Sequence, residues 1–344
     1  MQFEWKVFPA IPLLILFKSF VNIGCFKTSL SDVTYTDIED LNATCKGLDS
    51  CELPRRQNVV EHCNCGVSCS YLGTCCVDSK HRNNYIVPLK NVKCEYFRYG
   101  EKDRYLPMIN SCDPDMLYDD ITEKLCKSYR YDDPFLEIPV TDPVTGISYK
   151  NYYCYACNRN NGEEQPIPWD LKIKSNCIRH KLNTTSIPKL NSNGREWFLA
   201  LENNIEVEVS LHAPFPDKLK NVVPYCYNFE IMAECADDWT DDTVHKKCLA
   251  YMALTRILSK GGLYIFHYRN PHCAVCNYKS IDDMICLATD ETHSGGSSSE
   301  TDVFFIELSS LQDETTRCGN NEVYDYFAKN CRKIKRAGFR NKFG

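Results

Sequence analysis

The chain has 344 residues, 43% of them hydrophobic and 25% charged, an ordinary composition for folded protein that excludes wholesale disorder. A formal net charge of -6 argues against a nucleic-acid-binding surface, which is normally basic. Cysteine is the outlier, with 22 residues spread from Cys25 to Cys331.

Residues 1–25 read as a secretory leader. A short start carrying Lys6 precedes the apolar run Val7 to Phe17 (VFPAIPLLILF), which has signal-peptide length and is too short to cross a bilayer. Pro9 and Pro12 argue against a buried strand there. No other stretch approaches the roughly 18 apolar residues of a membrane span. Export places the cysteines in an oxidising compartment, where they pair. The sequons Asn42-Ala43-Thr44 and Asn183-Thr184-Thr185 fit that compartment and make Asn42 and Asn183 the expected glycosylation sites.

Residues 45–83 form a small knot. Seven cysteines fall between Cys45 and Cys76, in the order Cys45-x5-Cys51-x11-Cys63-x-Cys65-x3-Cys69-x5-Cys75-Cys76. The run Cys63 to Asp78 has too few large apolar side chains for a core, so cross-links must take its place.

Beyond the knot the cysteine spacing repeats. Cys94, Cys112, Cys126, Cys154, Cys157 and Cys177 are separated by 18, 14, 28, 3 and 20; Cys226, Cys235, Cys248, Cys273, Cys276 and Cys286 by 9, 13, 25, 3 and 10. The segments between agree as well. Cys112 to Cys126 and Cys235 to Cys248 each open on acidic residues and close on lysine, the charge order that suits a helix dipole, so a short helix is expected in both. A strand-like run ending in Asn-x-x-Cys-x-x-Cys-Asn follows in each, with the cysteine pair expected in a turn. A second strand comes later, WFLAL (Trp197 to Leu201) or FFIEL (Phe304 to Leu308), and Glu202 to His212 alternates as a half-buried strand does. The expected fold is therefore a disulfide-rich knot followed by two tandem disulfide-rich α+β repeats, residues 94–212 and 226–311. His81 to Lys93 and Pro214 to Pro224 are the expected linkers, and His293 to Glu300 a surface loop. Residues 318–334 are a closing segment, and 335–344 is a basic tail whose Lys335-Arg336 pair raises the alternative of a processed peptide.

Sites of chemistry are sparse. The pairs Cys154/Cys157 and Cys273/Cys276 have metal-ligand spacing, but lie over 100 residues apart in a chain marked for export, which favours disulfides. Neither a Gly-x-Ser-x-Gly elbow nor a His-Glu-x-x-His helix is present. His272 adjoins Cys273, a cysteine expected to be oxidised. Asp132-Asp133, Asp237-Asp238 and Asp241-Asp242 lack the spacing of a calcium loop. No catalytic residue, metal or cofactor is expected.

With Tyr71, Gly73 and Asp78, the spacing Cys63-x-Cys65-x3-Cys69-x5-Cys75-Cys76 resembles a somatomedin B domain. That resemblance implies the bridges Cys45–Cys65, Cys63–Cys76 and Cys69–Cys75. The family's eighth cysteine, which would bond Cys51, falls near Asn83 and is absent; Cys94 or Cys25 could replace it. The acidic contacts through which the best-known module of this kind binds its partners are replaced by Gly66-Val67-Ser68, whereas Tyr71 and Leu72 are expected as an exposed apolar pair for protein binding. From Cys45 to Ile334, the Asn-x-x-Cys-x-x-Cys-Asn motifs and the closing run CGNNEVYDYFAKNCRKI resemble ectodomains of invertebrate secretin/adhesion-like seven-helix receptors, which implies a closing disulfide loop from Cys318 to Cys331. The expected role is an extracellular protein-binding glycoprotein, secreted or a receptor ectodomain. Its partner would be an extracellular protein or peptide, with a membrane involved only if a seven-helix domain follows Gly344. A secreted ectoenzyme and a disulfide-linked matrix component are the alternatives.

Overall fold

A computed structural model describes residues 33–52, 61–82, 88–99, 102–128, 132–158, 165–176, 189–201, 205–219, 223–286, 301–308, 318–319 and 321–339. The expected leader, Cys25, Asn183, Cys177 and the loop His293 to Glu300 lie outside them.

The head carries two short helices, α1 (Thr36–Glu39) and α2 (Ser68–Leu72). Gly73 ends α2 with φ 67°, a conformation that glycine adopts without a Cβ penalty. The first copy opens on a hairpin, β1 (Val92–Tyr99) and β2 (Lys102–Ile109), then β3 (Met116–Leu117) and α3 (Asp120–Lys127). β4 (Val140–Thr141) and β5 (Ser148–Tyr149) precede α4 (Tyr152–Ala156), and β6 (Ile167–Pro168) completes a sheet ordered β1-β2-β5-β4-β6. β7 (Leu171–Ser175), β8 (Leu190–Ser192), β9 (Trp197–Ala200) and β10 (Glu206–His212) follow. The second copy holds α5 (Asp242–Ala250), β11 (Thr255–Leu258), β12 (Ile265–Tyr268), α6 (Pro271–Val275), β13 (Met284–Ile285) and β14 (Thr301–Ile306). β15 (Glu322–Asp325), β16 (Asn330–Lys333) and β17 (Gly338–Phe339) end the described chain.

The two expected helices form as α3 and α5. Asp119 caps α3, accepting from Thr122 N at 2.7 Å, and Asp241 caps α5, accepting from Thr243 N at 2.8 Å. The cysteine pairs, expected in turns, instead span the ends of α4 and α6, the first cysteine of each inside the helix and the second at its C-cap. Residues i and i+3 of a helix turn share a face, so one pair can reach two partners on one side. Those partners match between the copies: Cys126–Cys154 and Cys112–Cys157 in the first, Cys248–Cys273 and Cys235–Cys276 in the second. Their Cα–Cα distances are 4.5 and 5.1 Å against 4.6 and 5.1 Å.

Elsewhere the copies are not separate tandem domains. β14, from the second copy, adds antiparallel to β7 of the first, giving the sheet order β14-β7-β10-β9-β8. Cys94–Cys226 bonds the first hairpin to the start of the second copy. The expected linker Pro214 to Pro224 is no loose connector: Phe215, Leu219 and Val223 are buried with Trp169, Leu106 and Met108. A main core gathers Phe135, Tyr149, Tyr152, Leu199, Phe304 and Tyr326 from the first copy, β14 and the closing hairpin.

The head departs from the implied pairing. Cys63–Cys76 and Cys69–Cys75 are bonded, but Cys51 takes Cys65, and Cys45 bonds Cys286 of the second copy at a sequence separation of 241. With its local partner elsewhere, Cys45 ties the head across the chain. Leu254 N donates to His62 O at 2.9 Å, Met252 N to Cys75 O at 2.8 Å, and Arg269 Nη2 to Gly73 O at 2.7 Å, so the second copy binds the head through backbone groups.

The other end crosses over. The closing loop is bridged by Cys318–Cys331, and its hairpin packs on the first copy. Arg332 donates through Nη1 and Nη2 to Asp133 at 2.6 and 3.0 Å and through Nε to Asp325 at 2.5 Å, with its guanidinium 4.8 Å above the Phe135 ring. Burial works against that charge, yet the two carboxylates raise its pKa above the ordinary arginine value. The supposed basic tail continues inward: Ala337 N donates to Ala156 O at 2.8 Å, and β17 pairs with β3.

Arg332→Ala leaves Asp325, which is wholly buried, without its cation, so we expect a loss of about 3 kcal/mol. Limited proteolysis should then cut between β16 and β17 before the rest of the chain, and a digestion pattern unchanged from wild type would refute this account of the hairpin.

Candidate recognition surfaces

The repeated Asn-x-x-Cys-x-x-Cys-Asn motif has a structural chemistry that its spacing alone did not disclose. Asn151, fully buried, accepts from Tyr153 N and Cys154 N, both at 3.0 Å, while its Nδ2 donates to Leu125 O at 3.1 Å. Asn270, also fully buried, accepts from Cys273 N at 3.1 Å and donates to Cys248 O at 2.8 Å and Tyr251 O at 2.9 Å. Each asparagine thus caps one helix and satisfies carbonyls at the end of the previous one. The closing asparagines do the same for the other end: Asn158 Nδ2 donates to Cys154 O and Asn277 Nδ2 to Cys273 O, each at 2.7 Å.

The cysteines in these motifs are therefore structural. Cys112, Cys126 and Cys157 place their sulfurs within 4.8 Å of one another, as do Cys235, Cys248 and Cys276, because two bridges lie side by side. Sulfurs bonded in pairs supply no thiolate for a metal or a nucleophile. His272 does not serve Cys273. The buried Tyr251 hydroxyl, its pKa pushed far up by burial, shares a hydrogen bond with His272 Nδ1 at 2.8 Å.

The other candidates among the described residues do not form a cleft. Ser210 Oγ and His212 Nε2 are 3.0 Å apart, but both belong to β10 and face outward from an open sheet. A cavity of ≈ 20 Å³ lies between α4 and the closing hairpin, lined by Tyr152, Tyr155, Val323, Ile334 and Arg336. That is room for one water, far below the several hundred Å³ of a small-molecule site. The expected protein-binding pair is also accounted for: Tyr71 and Leu72 are half-buried against the main core, and Tyr71 O accepts from Leu89 N at 2.8 Å. They touch the main core and so join the head to the first copy. Asn42 is exposed, at φ 52°.

The described residues also present an open surface. The outer face of the second sheet sets Phe305 beside Lys172 and His212 in register, and Phe198 beside Glu208. Phe305 is 45% exposed with the Lys172 ammonium 5.8 Å from its ring centre, and Glu206 and Glu208 are exposed. The strand alternation sends Ile173, Leu199 and Val209 inward, so this mixed face is what β7, β9 and β10 show to solvent. Both copies build it.

A family model described as a family of unknown function (DUF8401) matches residues 107–331, about two thirds of the chain. The chain belongs to that family. The DUF8401 match runs from β2 to Cys331, spanning both copies and the closing loop as one unit, as the shared sheet and core require, and leaves the head outside it. No curated protein and no solved structure matches the chain. Among the described residues no helix is long and apolar enough to cross a membrane.

The joint between head and second copy carries a pH dependence. Burial, reinforced by Lys247, lowers the His272 pKa to about 4 from its ordinary 6.5, although Asp37 opposes. Below 6.5 the unfolded chain takes up a proton that the folded chain refuses, so this contribution is present above pH 6.5 and is lost as pH falls towards 4. Its ceiling is about 3 kcal/mol. Asp49, raised by burial, acts in the opposite sense, and Asp37, paired with Lys247 at 2.6 Å, titrates lower. Urea melts should show stability falling between pH 6.5 and 4 in wild type, with a flatter profile in His272→Gln. Equal slopes would remove His272 from the joint.

Proposed function

We propose that the chain is an extracellular recognition protein, secreted or the ectodomain of a seven-helix receptor-like protein, that binds an extracellular protein or peptide. The observation that carries this reading is the placement of the bridges. Ten disulfides join the described residues, and two of them, Cys45–Cys286 and Cys94–Cys226, fix the head and the two copies to one another. Such bonds persist in oxidising compartments, and a rigid body loses little conformational freedom on association. The exposed Asn42 in its sequon fits a glycoprotein. The somatomedin B resemblance of the head keeps two of its three implied bridges, while the rerouted Cys45 marks it as divergent.

The recognition face in this reading is the outer face of β14-β7-β10-β9. Its aromatic side chains among both signs of charge resemble a non-obligate interface, which is polar at its rim with a few apolar anchors. Phe305→Asp with Lys172→Glu alters that face and leaves the core untouched. In cross-linking on intact cells with the purified protein, wild type should capture a defined extracellular partner and the double variant should lose at least tenfold of that capture at unchanged Tm. Undiminished capture by the variant would overturn the face, and turnover of a small substrate by the wild type would overturn the reading.

A further inference from the structure

The β11–β12 hairpin stands apart from the rest of the surface. Its turn closes with Ser259 N donating to Tyr264 O and Gly262 N to Ser259 O, both at 2.8 Å, and Tyr264 N to Ser259 Oγ at 2.9 Å. Gly261 and Gly262 take φ 98° and 72°, as a tight turn requires. A Cβ placed on Gly261 would meet nothing within 4 Å, so the tip projects clear of the body.

What projects is apolar. Leu263 is 80% exposed and Tyr264 70%, with Ile265 and Phe266 exposed behind them. Strand alternation puts Ile265 on the face of His267, which stacks on Phe229 at 3.8 Å, and Phe266 on the face of buried Tyr268. A strand at a protein surface ordinarily shows one apolar and one polar face. Here both faces and the tip are apolar, so a surrounding medium, not a flat partner, is the environment that satisfies all of them.

Charge points the same way. Of the basic residues nearby, Arg256 is buried, Arg269 donates into the head and Lys247 pairs with Asp37, so the cations at the hairpin itself are Lys260 and Lys279. Lys260 is exposed at the turn itself, and the Lys279 ammonium lies 4.7 Å over the Phe266 ring. Lysine beside exposed leucine, tyrosine and phenylalanine is the arrangement of a segment seated at the headgroup boundary of a bilayer.

We infer that the β11–β12 hairpin is a membrane-contact element, which dips Leu263, Tyr264, Ile265 and Phe266 into a phospholipid surface bearing anionic headgroups. Pairing with β11 satisfies the backbone of Tyr264 and Phe266, while the register leaves the N–H and C=O of Ile265 facing the outer edge. That edge restricts insertion to the wet boundary. The three steps of about 3.4 Å from Leu263 to Phe266 reach about 10 Å, the depth of an interfacial segment. The site lies on a different element from the Phe305 face and does not depend on it.

Vesicle flotation with the whole protein tests this. Wild type should bind phosphatidylcholine vesicles containing a fifth phosphatidylserine, Leu263→Ser/Tyr264→Ser should bind at least tenfold less, and Phe305→Asp should bind as wild type. Lys260→Glu should weaken binding to the mixed vesicles and leave binding to pure phosphatidylcholine unchanged. A Tyr264→Trp variant provides an independent readout: its emission should shift to the blue with vesicles and be quenched by brominated acyl chains. No vesicle binding, equal binding by the tip variant, or an unshifted Tyr264→Trp spectrum would overturn the inference. Capture of a protein through the tip without vesicle binding would assign the hairpin to a protein partner instead.

Discussion

Two buried asparagines and the bridges around them set the shape of each copy. Asn151 and Asn270 turn an extended strand into a short helix by capping it, and the same side chains hold the carbonyls of α3 and α5. A five-residue helix is too short to persist alone, because nucleation costs more than one turn returns. The cap and the two disulfides from its i and i+3 cysteines hold it in place. Around that staple the aromatic side chains of the main core pack: Phe135 stacks on Tyr152 at 5.1 Å, and Tyr149 meets Tyr155 edge-on at 5.3 Å.

The duplication was legible because a staple of this kind fixes sequence intervals: cysteines bridged to one short helix cannot drift without breaking a bridge. The capped helices α3 and α5 were legible from acidic starts and lysine ends. The form of α4 and α6 was not, since five residues give no helical period and Tyr152, Tyr153 and Tyr155 read as strand. Connectivity was hidden for a different reason. Many pairings of cysteines satisfy one sequence, so nothing local distinguishes Cys65 from Cys286 as the partner of Cys45. The fate of FFIEL is similar, because a strand pattern records a buried face and does not say which sheet edge receives it. That Tyr71 and Leu72 touch the main core carries no signal in the sequence. Arg332 and Asp133, 199 residues apart, carry no mutual signal in the sequence.

The crossed arrangement has a functional consequence. The N-terminal head rests on the second copy and the closing hairpin on the first, so both ends of the described chain are bound into a body that the shared sheet already joins. Disulfide-poor proteins of this size rely on one large apolar core; here several smaller clusters are linked by covalent bonds. Surfaces can then carry exposed aromatic residues without endangering the fold. Two such surfaces result: the mixed face around Phe305 and Lys172, proposed to meet a protein, and the apolar hairpin at Leu263, proposed to meet lipid.

The central claim is that long-range bridges, not a self-contained knot, unite the head with the two copies. Peptide mapping of the non-reduced protein, with free thiols blocked at low pH, tests it most directly. The account predicts recovery of Cys45 linked to Cys286, Cys94 linked to Cys226 and Cys51 linked to Cys65. Recovery of Cys45 linked to Cys65, with Cys286 bonded elsewhere, would contradict it.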